Sequence, residues 1–301
     1  MAAPVFPPAL QPGDTIGVMA PSSYIAPEDI EGATRIIESA GYNVFVHPQT
    51  YMKFHQSAGT HEQKVAAIHD LATNNSIKAV FFAAGGNRTL HILDLIDFEI
   101  IKNNPKIYMG YSDGTALLNA IAARTNIVTW HGPTFRKFHT GHIEQSFNLK
   151  LLAGQENKIS LQGSQHIIAG QATGRMYGGT LNVFRRLIGS QDMPDTHNAI
   201  LFFEDCNEET SRIDAELCFL KRCGILKNAA ALIFGEFKNL LDTGRPFGFT
   251  LEDIIREHTA GLNIPVLMNA PFGHGDHLPA FPIGARVSLS GTTLTILDLP
   301  A

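Results

Sequence analysis

The segment Gly110-Tyr111-Ser112-Asp113-Gly114 sets a serine between two glycines in a G-x-S-x-G pattern. A serine there can act as a nucleophile in acyl transfer if a strand leads into the turn and a helix leaves it. Both flanks meet the condition: Lys106 to Tyr111 reads as an apolar strand, and Asp113 to Arg124 as a run of helix formers. In such an elbow the serine occupies a strained turn that lifts its oxygen above the sheet. The helix after it adds a positive dipole end and free N–H groups that can stabilise an oxyanion. The same residues also fit a plainer role, a serine capping the helix that follows.

Such a serine needs a base within hydrogen-bond reach, and a histidine base needs a carboxylate to hold its tautomer. Thirteen histidines compete for the part. His274 lies between Gly273 and Gly275 in a loop after the strand-like stretch Pro265 to Met268, and His131, at the strand end in Trp130-His131-Gly132-Pro133, is its rival. Glu204 closes the apolar run Ala199-Ile200-Leu201-Phe202-Phe203 and is the best-placed carboxylate, whereas Asp205, Glu208 and Glu209 read as a solvated loop before a helix. Gly85-Gly86-Asn87 follows the strand Val80 to Ala84, so its backbone N–H groups are candidates for an oxyanion hole. A turn needing glycine for positive φ explains them as well.

His139 with His142, and His274 with Asp276 and His277, offer metal ligands. H-E-x-x-H and C-x-x-C are both missing, and loosely spaced loop histidines are weak support, so no metal is assigned. Gly174-Arg175-Met176-Tyr177-Gly178-Gly179 lacks G-x-G-x-x-G spacing and no Walker A sequence occurs, so no nucleotide cofactor is expected.

The elements that must position these residues alternate in type. Strands over Thr15 to Ala20, Asn43 to His47, Ala79 to Ala84, Lys106 to Tyr111 and Ile127 to Trp130 are separated by helices over Pro27 to Ala40, Glu62 to Leu71, Thr89 to Ile96 and Asp113 to Arg124. This predicts a parallel sheet covered on both faces, with ligands bound outside the carboxyl ends of its strands. The expected fold class is α/β: a parallel-sheet domain over 1–150, a crossover over 151–170 where polar residues dominate, and a mixed α+β domain over 171–301. The second part begins with a glycine-rich turn at Tyr177-Gly178-Gly179 and ends in a hairpin, Arg286 to Leu289 with Thr293 to Ile296.

Composition narrows the class of protein. With 301 residues, 44% of them hydrophobic, the chain is long enough for two domains, and a net charge of -5 without a basic run argues against nucleic acid as a partner. Met1-Ala2-Ala3-Pro4-Val5-Phe6-Pro7-Pro8 has neither the positive flank nor the apolar run of a leader, and no stretch is apolar enough to span a bilayer, so a cytoplasmic protein with no membrane partner is expected. Cys206, Cys218 and Cys223 are read as reduced and mostly buried small apolar residues.

Taken together, spaced motifs resemble the L,D-carboxypeptidases of the S66 serine-peptidase group, which includes muramoyltetrapeptide carboxypeptidases and microcin C immunity peptidases. They are Leu10 to Ser23, Gly85-Gly86, Gly110-Tyr111-Ser112-Asp113 with Thr115-Ala116-Leu117, His131-Gly132-Pro133, Gly178-Gly179-Thr180-Leu181, Glu204-Asp205 and Phe272-Gly273-His274-Gly275. The resemblance implies a nucleophile at Ser112, a base at His274 oriented by Glu204, and an oxyanion hole from the N–H groups of Gly86 and Asp113. Gly85, Asn87 and His131 are the substrate-binding candidates beside them. It further implies a flavodoxin- or Rossmann-like N-terminal domain with a β-rich C-terminal domain, a homodimer, no metal or organic cofactor, and cleavage of terminal D-alanine from murein tetrapeptides. Where cell-wall members carry Arg-Gly-Gly-Tyr-Gly, this chain has Ala84-Gly85-Gly86-Asn87-Arg88, whereas Arg212-Ile213-Asp214 resembles the cell-wall branch. The alternatives are an aminoacyl-nucleotide substrate of the microcin type, an ordinary α/β-hydrolase esterase, for which an H-G-G-G loop is missing, and a non-catalytic ligand-binding module.

Overall fold

The computed structural model describes residues 3–299. Met1 and Ala2, at the head of the stretch read as lacking a leader, lie outside the described residues, as do Pro300 and Ala301. Strands β1 (Thr15–Met19), β2 (Asn43–Val46), β3 (Ile77–Phe82), β4 (Ile107–Gly110) and β5 (Thr129–His131) run parallel in the order β2-β1-β3-β4-β5. This is the flavodoxin-like order, in which the switch point falls between β1 and β3. β4, and β3 beyond the exposed Lys78, are apolar and buried on both faces, which accounts for their reading as continuous apolar runs.

Helices α1 (Pro27–Ser39), α2 (His61–Thr73), α3 (Phe98–Asn103) and α4 (Thr115–Thr125) cover this sheet. Local sequence specifies their starts: Pro27 takes the first turn of α1, and Thr60 with Gln63 forms a capping box on α2. The helix expected over Thr89 to Ile96 is instead a 3₁₀ segment, Leu90–Leu95. Thr89, itself helical at φ -65° and ψ -39°, makes no side-chain cap, and its hydroxyl donates to Asp113 at 2.6 Å.

Strands β6 (Lys158–Ser160), β7 (Gln165–Ile168), β8 (Gln171–Thr180), β9 (Ile200–Cys206), β10 (Ala231–Lys238) and β11 (Val266–Met268) belong to a second sheet. β12 (Phe281–Ile283) returns to the first sheet antiparallel to β5, and β13 (Arg286–Ser290) with β14 (Thr293–Ile296) forms the expected terminal hairpin. The order of the second sheet is β6-β14-β13-β8-β9-β10-β11-β7, with β8 to β11 parallel and the outer strands antiparallel. The segment 151–170, read as a crossover, supplies β6 and β7, which lie at opposite edges of this sheet. Between the sheets, Phe202 packs edge-on against His131, Phe272 and Phe281.

Gly178 and Gly179 do not form the expected turn. They lie within β8, paired with Phe202 and Phe203 of β9, and a Cβ on Gly178 would stand 1.9 Å from the Phe202 carbonyl oxygen. Close backbone approach, rather than chain reversal, is what requires glycine here. With φ at 144°, Gly178→Ala is expected to cost about 3 kcal/mol or more, measured as a lower urea midpoint with an unchanged slope.

Candidate active site

β4 ends at Gly110, and the chain then turns sharply: Ser112 has φ 59°, opening a 3₁₀ turn, Ser112–Gly114, that runs into α4. The glycines on either side admit Phe82, since a Cβ on Gly110 would approach its ring to 2.5 Å and one on Gly114 to 2.8 Å. Gly85 is held bare by Ser112 itself, whose Oγ would lie 2.9 Å from an added Cβ. Ser112 is partly exposed at the carboxyl end of the sheet, while Asp113 is buried below it. One Asp113 oxygen accepts from Ser22 Oγ at 2.7 Å, Thr89 N at 2.9 Å and Thr89 Oγ1 at 2.6 Å. These bonds tie the serine turn to the loops that follow β1 and β3.

Gly86 has φ 134°, and an added Cβ would meet Ser23 Oγ at 2.0 Å, so the loop after β3 lies directly against the loop after β1. Gly86 is exposed, and its N–H makes no hydrogen bond among the described residues. Asn87, one residue on, is exposed and donates to Gln56 at 2.9 Å.

From the second sheet, β9 carries Glu204, fully buried, and the loop after β11 carries His274. His274 Nδ1 lies 2.6 Å from Glu204 Oε2, and Thr180 Oγ1 donates to Glu204 Oε1 at 2.6 Å. Burial alone would raise the Glu204 pKa and lower that of His274. Their mutual attraction outweighs it, holding the carboxyl below its usual range and pushing the imidazole up to about 10, aided by contact with Cys206. The His274 ring centroid is 4.8 Å from that of Tyr111, the residue before Ser112, which brings the pair to the serine turn. No hydrogen bond joins Ser112 to His274 among the described residues; free enzymes often close such a bond only with substrate in place.

His131 also reaches this region but is wholly buried, with neither ring nitrogen hydrogen-bonded among the described residues. Burial depresses its pKa to about 4, so it stays neutral beside Glu204 and exposes no atom to a substrate. Asp205 points to the opposite face of β9, accepting from the Asn182 and Cys206 amides, and burial pushes it up to about 7. It is not part of the expected solvated loop.

Cys206 departs from the sequence reading: it is only partly buried, Cys218 likewise, and Cys223 is exposed. Strand period explains why, because residues 204 and 206 share a face of β9 and both meet His274. The same two-residue spacing could have found it. Of the weighed metal ligands, His277 is taken by Glu144 at 2.7 Å and His142 faces Asn148. Among the described residues no group of three His, Cys, Asp or Glu converges as a metal site.

A serine on a strained turn, a carboxylate-backed imidazole and a free N–H can together carry out acyl transfer. Comparison with known proteins points the same way. Residues 16–132 match the model of the LD-carboxypeptidase N-terminal domain, and residues 173–289 that of the LD-carboxypeptidase C-terminal domain. A probable murein peptide carboxypeptidase from Bacillus subtilis is 32% identical over 94% of this chain and 91% of its own length. The microcin C7 self-immunity protein MccF of Escherichia coli is 26% identical over 95% of this chain and 93% of its own. The crystal structure of a muramoyltetrapeptide carboxypeptidase from Oxalobacter formigenes superposes with a TM-score of 0.85 at 27% identity, covering 95% of this chain and all of that one.

Proposed function

We propose, since the chain belongs to the LD-carboxypeptidase family and is thereby a serine-type carboxypeptidase, that it removes the terminal D-alanine from murein tetrapeptides. Ser112 attacks the carbonyl of the L-centre while His274, held by Glu204, takes the hydroxyl proton. The N–H groups of Gly86 and Asp113 receive the oxyanion, and His274 returns the proton to the departing D-alanine amine. Water, deprotonated by His274, then hydrolyses the acyl-Ser112 ester and releases the shortened peptide. The chain's own residues supply every proton transfer, with no metal or organic cofactor in the scheme.

The observation that carries this reading is the meeting of Glu204 and His274, seventy residues apart in sequence, beside the Ser112 turn. The reading includes a boundary between domains near 151–170, a homodimer and a cytoplasmic setting for recycled peptides. Among the described residues no helix is long and apolar enough to cross a membrane.

One observation favours a second substrate, an aminoacyl-nucleotide analogue of the microcin type. Tyr24 and Phe54 stand exposed near the Gly86 loop, Tyr24 N donating to Gln56 O, and could stack a base. Incubating the protein in parallel with a muramyl tetrapeptide and an aminoacyl-sulfamoyl adenosine separates the two. Release of D-alanine at the higher kcat/KM is the expected result. Preferential cleavage of the adenosine compound would assign the second substrate.

A further inference from the structure

We propose that Arg88, oriented by His61, binds the terminal carboxylate of the substrate; this rests on the carboxypeptidase reading above. An enzyme that removes one terminal residue must recognise a free carboxylate close to the bond it cuts. From the scissile carbonyl carbon to that carboxylate is three bonds, under about 4.5 Å even when extended. The cation must therefore flank the nucleophile turn.

The loop 85–89 does so at both its ends. Gly85 lies against Ser112, and Thr89 N donates to the carboxylate of Asp113 at 2.9 Å, with Arg88 between them. Arg88 is exposed, and among the described residues no carboxylate pairs with it. Its one side-chain partner among the described residues is His61, at the start of α2, whose Nε2 lies 3.0 Å from Nη2. In that bond the guanidinium donates, so the imidazole is neutral at Nε2 and directs the arginine without neutralising it. Slight burial and then the charges of Arg88 and His91 lower the pKa of His61, in keeping with a neutral ring.

Two further basic groups gather here. His91 lies with its ring centroid 5.7 Å from that of His61, and Lys64, wholly buried one turn along α2, has no hydrogen-bond partner among the described residues. The carboxylates that face this group are Asp113, already holding three hydrogen bonds, and the exposed Glu62. Lys64 lies buried within the field of the Asp113 carboxylate, which leaves Arg88 as an exposed cation on this side of the crevice.

Backbone strain supplies an independent argument. Arg88 has φ 80°, a conformation glycine adopts freely and a long side chain does not. An arginine kept at such a position points to a side chain used for something other than the fold.

The test compares kcat/KM for the tetrapeptide acid with that for the same peptide ending in D-alaninamide, which keeps the scissile bond and removes the charge. Wild type should prefer the acid by about tenfold to a hundredfold, the range of a charge-assisted hydrogen bond. In Arg88→Gly, which also relieves the positive φ, the ratio should fall towards one while thermal stability holds or rises. Arg88→Lys, which keeps the charge but not the fork, should retain part of the preference. A wild type indifferent to the amide, or an Arg88→Gly protein with the full preference, overturns the assignment. If wild type releases nothing from either peptide, the murein-tetrapeptide reading fails, and this one with it.

Discussion

Ser112→Ala is expected to lower kcat for D-alanine release by about 10⁴- to 10⁶-fold, the scale on which loss of a nucleophilic serine removes covalent catalysis. The fold should survive, because Ser112 Oγ makes no hydrogen bond among the described residues that the turn depends on, and alanine meets the same φ of 59° that serine already tolerates. What holds the turn is Asp113, through Ser22 and Thr89, and those bonds are untouched. Circular dichroism and the urea midpoint should match wild type while release stops. Matched release by mutant and wild type would remove Ser112 from the mechanism.

Glu204→Gln should cost about 10³- to 10⁴-fold in kcat, as for other triads whose carboxylate becomes an amide. The carboxylate of Glu204 is fully buried, with Thr180 donating to one oxygen and His274 Nδ1 against the other. In the amide, Thr180 favours the oxygen at its own position, so the NH₂ faces Nδ1. The imidazole then carries its proton on Nε2, where it cannot accept from Ser112.

The pH profile carries a second signature of the same substitution. Burial would lower the His274 pKa, but the Glu204 charge and the contacts with Cys206 and Glu204 override it and raise the value to about 10. The base form is therefore the minority at neutral pH, and wild-type kcat/KM should keep rising with pH well above 6.5, the ordinary imidazole value. Removing the Glu204 charge leaves burial opposed only by Cys206, so the limb in Glu204→Gln should move to lower pH as the plateau falls. A limb that stays put would mean that Glu204 does not set the ionisation of His274.

Much of this arrangement could be read from the residues because it is local. The Ser112 turn shows itself through an apolar strand, two glycines and a helix within the nineteen residues 106–124, and Glu204 through its place at the end of an apolar run. The choice between His274 and His131 could not be made that way. His131 is buried because β12, about 150 residues further on, pairs against β5 and brings Phe281 over it, a long-range event without a local signal. Gly178-Gly179 misleads for a similar reason: a glycine pair reads as a turn until the neighbouring strand that needs the space is known. Arg88 is harder still, since arginine carries no preference for positive φ and nothing in its neighbours marks that conformation.

The central claim is that Ser112 is the nucleophile activated by His274 and Glu204, and labelling with a fluorophosphonate, mapped by peptide mass spectrometry, tests it most directly. One adduct per chain, on Ser112, forming faster as pH rises and at least about a hundredfold slower in Glu204→Gln, is the predicted result. An adduct on any other residue, or full D-alanine release from protein whose Ser112 is quantitatively blocked, would contradict it.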